Sequence, residues 1–320
     1  MNTRIHIISG FLGAGKTTFI KKLLSEDAFS NTPVLIENDY GSLGIDGDLM
    51  KQTGIMVAEL NSGCICCTLE GSFTQALEQI YIQYEPEDII IEPSGVGKLS
   101  EICRMVQQAD FKCPLNIVKC VTVVDAKKFD YNAKYVSEYF YDQISSADTV
   151  VLSKVEKVNS DKLCEICEKI AEINPDAVIV NKSWKEPLKD SVYFTSPSLS
   201  PSKLFDVIDT SAAESRMDSI SFQVEQTYKE DEFIDMLNQL ANEEICGKVF
   251  RAKGVIRTEK GLEQIDYVSG DIQIVKFNLD VTGKLLVIGK ELKKENLYKV
   301  FRIPVRWMAP KIGKRRKKYV

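Results

Sequence analysis

Histidine is almost missing from this chain: there is a single residue, His6, in 320. A histidine-rich metal store is excluded, and His6 falls inside the first predicted strand, where a core or strand-face imidazole is expected rather than a ligand. Long apolar runs are missing as well. Stretches such as Ile89 to Ile91 and Val121 to Val124 stop after a few residues, far short of the roughly 18 that suggest a membrane span. The N-terminus MNTRIHIISG reaches a glycine-rich turn too soon for the apolar stretch of a secretory signal. A cytoplasmic protein with no membrane partner is the expectation.

An excess of charge of one sign is also lacking. Lys plus Arg number 41 and Asp plus Glu 46, a net charge of -5, which gives no global field to hold a polyanion, so nucleic acid is not the expected partner. Six basic residues (Lys311, Lys314, Arg315, Arg316, Lys317, Lys318) crowd the last ten positions, leaving 35 basic against 46 acidic residues in the other 310. Body and tail thus carry opposite signs, and a frayed solubilising end is expected for the tail. What is present excludes disorder: 44% of residues are hydrophobic and 27% charged, over a length that suits two domains.

Up to about Phe194, short β-branched runs alternate with longer amphipathic ones, the pattern of an α/β fold. Predicted strands are Arg4 to Ser9, Val34 to Ile36, Asp88 to Ile91, Val118 to Val124, Thr149 to Leu152 and Ala177 to Val180. Predicted helices include Gly71 to Tyr84 and Ser160 to Ile173. A mostly parallel sheet flanked by helices accounts for this, with ligands at the carboxyl ends of its strands. The Ser/Pro-rich stretch Thr195 to Ser202 reads as a connector. Beyond it, a strand near Ser219 to Val224 precedes a helix opened by a capping box of Thr227 and Glu230, with Phe233, Met236, Leu237, Leu240 and Ala241 on one face. Strands then dominate (Val249 to Ile256, Leu262 to Val268, Gln273 to Leu279, Leu285 to Ile288), before a last helix with Leu297, Val300 and Phe301. The division expected is an α/β domain over 1–195, a linker over 196–217, a small α+β C-terminal domain over 218–310 and a basic tail over 311–320.

Gly10-Phe11-Leu12-Gly13-Ala14-Gly15-Lys16-Thr17 satisfies GxxxxGK[ST] between a predicted strand and a predicted helix, followed by Thr18. Small residues let backbone N–H groups curl around phosphates, and the helix N-terminus adds partial positive charge. Lys16 would neutralise the β- and γ-phosphates, and the Thr17 hydroxyl would bind Mg²⁺. Ile89-Ile90-Ile91-Glu92-Pro93-Ser94-Gly95 offers the second-strand carboxylate, Glu92, and a backbone sensor for the γ-phosphate, Gly95. Base selection is read from Ser153-Lys154-Val155-Glu156, which has the order of the guanine motif NKxD with Ser and Glu in place of Asn and Asp. Glu is one methylene longer and needs room. Asn181-Lys182-Ser183-Trp184 begins like the same motif but lacks the acid, and suits a neighbouring loop closing over the base.

Nine cysteines is an odd number, and three sit in Cys64-Ile65-Cys66-Cys67 after Asn61-Ser62-Gly63. That spacing suits metal or thiol chemistry in a reducing compartment. Thiolates take zinc and other borderline-soft ions, with a carboxylate as an acceptable further ligand. Cys164-Glu165-Ile166-Cys167 is formally CxxC but lies inside a predicted helix, so both residues are expected to pack, as are Cys103, Cys113, Cys120 and Cys246.

With GFLGAGKTT at Gly10 to Thr18, IENDYG at Ile36 to Gly41, GCICC at Gly63 to Cys67, EPSG at Glu92 to Gly95 and SKVE at Ser153 to Glu156, the chain resembles the CobW-like family of P-loop GTPases, metal-handling proteins related to nickel-insertion GTPases. The resemblance covers essentially the whole chain. It implies GTP as nucleotide, Mg²⁺ as cofactor, and slow hydrolysis coupled to delivery of Zn²⁺ or Co²⁺ to a client metalloprotein or cofactor-assembly protein, a homodimer being left open. By position, Glu37, Cys66 and Cys67 match the family's metal site, Cys64 completes the motif, and Asp39 falls in a loop that behaves as a switch. Two other readings stand beside it, a metal-responsive nucleotide-binding interaction module and an ATP-using P-loop kinase.

Overall fold

The computed structural model describes residues 3–29, 33–37, 56–59, 70–108, 111, 115–193, 217–277 and 283–304. The chain divides into two compact units, Met1–Glu214 and Ser215–Val320.

The first unit is built on seven strands, β1 (Thr3–Ser9), β2 (Val34–Glu37), β3 (Met56–Glu59), β4 (Asp88–Glu92), β5 (Leu115–Asp125), β6 (Thr149–Ser153) and β7 (Val178–Val180). Their order is β3-β2-β4-β1-β5-β6-β7, and every neighbouring pair is parallel. Strands covered on both faces read as unbroken apolar runs, and Ile89, Ile90, Ile91, Val150, Val151 and Leu152 are fully buried. Helix Lys16–Ser25 sets Phe19, Ile20 and Leu23 against Ile8, Leu35, Ile90, Val121 and Val151. The six expected strands are all present. The short β3 was not foreseen, because four residues carry too little periodicity to stand out from their surroundings.

In a parallel sheet all carboxyl ends lie at one edge, and register decides which residues meet there. Glu37 of β2 pairs with Glu92 of β4 on one side and with Glu59 of β3 on the other. At the opposite edge, buried Asp88 accepts from Arg4 at 2.7 and 2.8 Å and lies 2.7 Å from His6 Nε2. His6 is 4% exposed and packs edge-on against Phe29, the strand-face imidazole expected from the sequence.

The second unit carries β8 (Asp218–Gln223), β9 (Thr227–Tyr228), β10 (Lys248–Thr258), β11 (Gly261–Val268), β12 (Asp271–Lys276) and β13 (Lys284–Lys290). The order β12-β11-β10-β13-β8 is antiparallel throughout, with β9 joining β10 in parallel. Helices Glu230–Gln239 and Lys294–Val300 bring Phe233, Met236, Leu237, Leu297 and Val300 into one core with Phe222, Ile265, Tyr267, Val287 and Phe301. This is the small α+β fold expected.

Two details differ from the sequence reading. Thr227 is no cap: it pairs with Arg257 in the sheet, and the helix starts after Lys229 with no side-chain cap hydrogen bond, so pairing with β10 outcompetes local capping. Ala241 is exposed while Phe233, Met236, Leu237 and Leu240 are buried, because the helix ends at Gln239 before the stripe reaches it.

Candidate functional site

Helix Lys16–Ser25 begins where β1 ends, so the loop Gly10 to Gly15 is held between the central strand and a helix N-terminus. Gly10 has φ 142°, and a Cβ there would meet the Val123 carbonyl oxygen of β5 at 2.3 Å. Only glycine lets the loop run this close to its neighbouring strand. Lys16 is 7% exposed, and its Nζ donates to the Gly10 carbonyl at 3.0 Å, folding back across the loop. The Thr17 hydroxyl donates to the Glu92 carboxylate at 3.0 and 3.2 Å. A hydroxyl and a carboxylate are hard oxygen donors of the kind Mg²⁺ takes, so this pair fits the ion.

Beyond Glu92 the chain turns through Ser94 to Gly97, closed by the Gly97 N–H on the Ser94 carbonyl at 2.9 Å. A Cβ on Gly95 would meet the Leu12 N atom at 2.7 Å. The turn therefore packs directly on the Gly10 to Gly15 loop.

Ser153 ends β6, and its hydroxyl donates to the Ala14 carbonyl at 2.7 Å. Lys154 follows at φ 56°, ψ 30°, a left-handed conformation that costs a non-glycine residue about 1 kcal/mol. Its Nζ meets Gly13 O at 3.2 Å and Asp125 Oδ2 at 2.5 Å. Asp125, 2% exposed, also accepts from the Lys127 and Lys128 N–H groups at 2.9 and 3.3 Å. Glu156 lies in the 3-10 turn Val155–Lys157 and is exposed. Asn181 is exposed just beyond β7, its Nδ2 3.6 Å from Cys167 Sγ.

The family profile described as "CobW/HypB/UreG, nucleotide-binding domain" matches residues 4–181. The chain belongs to this family. Among relatives, the Pseudomonas aeruginosa zinc chaperone CobW is 30% identical over 205 residues, 54% of this chain and 54% of its own. The Schizosaccharomyces pombe zinc-regulated GTPase metalloprotein activator 1 is 32% identical over 189 residues, 56% of this chain and 46% of that protein. The chain thus spans about half the length of the curated relatives it matches. Among solved structures, the Zn(II)-bound YjiA GTPase from E. coli aligns with TM-score 0.43 and 16% identity, covering 94% of this chain and 98% of that one.

Against this family background the structure relates several sequence features to their surroundings. Ser153, the departure from the Asn of NKxD, ties β6 to the phosphate loop through Ala14, so a short hydroxyl suffices to hold the two loops together. Trp184 lies at the phosphate loop: its Nε1 donates to Leu152 O at 3.0 Å, its ring is 5.5 Å from that of Phe19, and it sits 3.3 Å from where a Gly15 Cβ would be. Trp184 ends the Asn181 to Trp184 string singled out in the sequence, whereas Asp125 and Gln143, whose side chain reaches the Ser94 to Gly97 turn, carry no motif. Only the strand-end position of Asp125 offered a signal for those two.

Glu37 is 8% exposed at the end of β2, one strand from Glu92. Asp39, Cys64, Cys66 and Cys67 lie outside the described residues, as does Cys113. Among the described residues there is no group of three or more His, Cys, Asp or Glu able to hold a metal ion, and no helix long and apolar enough to cross a membrane.

The other cysteines sort by burial. Cys103, Cys120 and Cys246 are buried as expected, the first two with sulfurs 3.3 Å apart. Cys120's thiol is held up by its hydrogen bond with Cys103 and by burial. Cys164 corrects the sequence reading: it is exposed, since Ile166 and Ile170 take the inner face of helix Ser160–Ile173. Burial pushes the Cys167 thiol up, the wrong direction for a reactive redox pair.

Proposed function

We propose that this chain binds and slowly hydrolyses Mg·GTP, and that nucleotide state controls a transition-metal site from which zinc or cobalt is delivered to a client metalloprotein or cofactor-assembly protein. The observation that carries the reading is the meeting of Thr17 with Glu92 beneath the Gly10 to Gly15 loop, with Glu37 in register beside Glu92. In this proposal Gly10, Gly13, Ala14, Gly15, Lys16, Thr17 and Thr18 hold the phosphates. Thr17 and Glu92 would hold Mg²⁺, which when bound supplies charge to the β- and γ-phosphate oxygens. Gly95 senses the γ-phosphate, and Ser153, Lys154, Glu156 and Asn181 form the base pocket.

The metal site proposed is Glu37 with Cys64, Cys66 and Cys67, and Asp39, near Glu37 in sequence, reads the nucleotide. Glu37 and Glu92 stand on adjacent strands, about 4.8 Å apart in the hydrogen-bonding direction, which gives the proposed coupling a short path. The zinc chaperone names of the relatives support zinc as cargo. The domain boundaries at 195, 218 and 310 and a cytoplasmic setting belong to the same proposal.

No general base lies among the motif residues, so water attacks the γ-phosphate under positioning and charge neutralisation, and turnover is slow until a partner completes the site. Competition between GTP and ATP for the purified protein, with hydrolysis followed with and without Zn²⁺ and Co²⁺, tests this. GTP preference and a metal-dependent rate are expected. ATP preference would favour a kinase, and a Lys16→Ala protein that keeps its partner binding and function would favour an interaction module.

A further inference from the structure

Helix Ser137–Ser145 reaches the nucleotide-sensing turn through two consecutive side chains. Gln143, 1% exposed, sends its Nε2 to the Gly95 carbonyl at 3.3 Å and the Gly97 carbonyl at 2.9 Å. Two carbonyls converging on one end of the amide assign that end as the nitrogen. Its Oε1 is buried with no partner among the described residues. Asp142 binds the Ser100 hydroxyl and accepts from the Ser100 N–H at 3.2 Å, capping helix Leu99–Gln108 directly after the turn. Gln143 is itself fixed, since the Thr122 hydroxyl of β5 donates to its carbonyl at 2.5 Å.

Ordering a buried glutamine costs more side-chain entropy than an isoleucine or leucine would lose, and here it leaves an acceptor unsatisfied. A packing role alone would be better filled by an aliphatic residue. The amide instead holds the two carbonyls of a turn whose Gly95 lies against the Leu12 backbone, so it limits how that turn can rotate when a third phosphate arrives.

We propose that Gln143 is a positioning residue that holds the Ser94 to Gly97 turn in the orientation that distinguishes a nucleoside triphosphate from a diphosphate. This rests on the nucleotide-binding reading above and adds a determinant outside its motifs. The loss of the hydrogen bonds in Gln143→Met, a near-isostere, weakens affinity for a slowly hydrolysed Mg·GTP analogue about tenfold, while Mg·GDP affinity stays within about threefold. Thr122→Val, which frees the Gln143 backbone, acts in the same direction more weakly, and Thr122→Ser, which keeps the hydroxyl, restores selectivity.

Calorimetric titration of wild type and the three variants with both nucleotides is the test. Selective loss of triphosphate affinity supports the assignment; equal loss for both nucleotides, or no loss, overturns it. If Gln143→Met does not fold, the contrast between Thr122→Val and Thr122→Ser decides by the same criterion. A wild-type protein that binds neither nucleotide would overturn the nucleotide-binding reading itself, and this assignment with it.

Discussion

The two units of this chain stabilise their sheets in different ways. The parallel sheet of the first unit gathers charged and polar side chains at both ends of its strands: buried Asp88 and His6 with exposed Arg4 at one, and buried Lys16 and Asp125 with half-buried Thr17, Glu92 and Lys154 at the other. The antiparallel sheet of the second is closed by a continuous aromatic and aliphatic core of Phe222, Phe233, Phe301, Tyr267 and their neighbours. Buried polar groups cost stability unless each finds a partner, and in the first unit Asp88, Lys16 and Asp125 each have one. The second unit buries Lys253, Thr258 and Glu263 as well, but around a core that is mainly aromatic and aliphatic.

The sharpest way to break this contrast is at the phosphate loop. Lys16→Ala should reduce Mg·GTP affinity about a hundredfold, as removal of a preorganised charged donor does, with the second unit's thermal transition unmoved; calorimetry on one sample reads both. The reciprocal change, Phe233→Ala, empties the centre of the second core and should cost about 3–5 kcal/mol. Chemical denaturation should show that loss, with GTP affinity of the native protein kept within about twofold. A large loss of nucleotide binding in Phe233→Ala would dissolve the distinction between scaffold and site.

Tyr228 sharpens the comparison from the scaffold side. Burial pushes its phenol up to about 12, and its hydroxyl donates to Phe301 O at 2.7 Å, so Tyr228→Phe should cost about 1 kcal/mol in a denaturation experiment. The smallest effect expected is on pH dependence. Burial holds the His6 imidazole below its usual range, against the pull of Asp88. Burial also raises Asp88, but hydrogen bonds from His6 and Arg4 outweigh it and leave that carboxyl low. Both groups bind protons more readily unfolded, so stability is full at neutral pH and falls as pH drops, first through His6 below about 6.5 and then through Asp88 below about 4. His6→Gln should flatten the first part of that fall in midpoint measurements between pH 7 and 5. An unchanged slope would remove His6 from the account.

Much of this was legible in the residues. β-branched runs gave six of the seven parallel strands, and the glycine spacing gave the phosphate loop together with the strand and helix that bear it. The register placing Glu37 beside Glu92 was not legible, because nothing in either strand says which neighbours which. Gln143 and Asp125 were hidden for a related reason: each acts through contacts far along the chain, and neither sits in a pattern. Thr227 misled because a local capping signal and a strand pairing compete for the same residue, and pairing prevailed.

The central claim is that nucleotide and metal sites are coupled. Zinc affinity should be measured by competition with a chromophoric chelator, for protein saturated with Mg·GDP and then with a slowly hydrolysed Mg·GTP analogue. Coupling of at least about 1 kcal/mol predicts affinities differing about fivefold or more between the two states, with the difference lost in Glu37→Ala. Equal zinc affinity in both states would contradict the account.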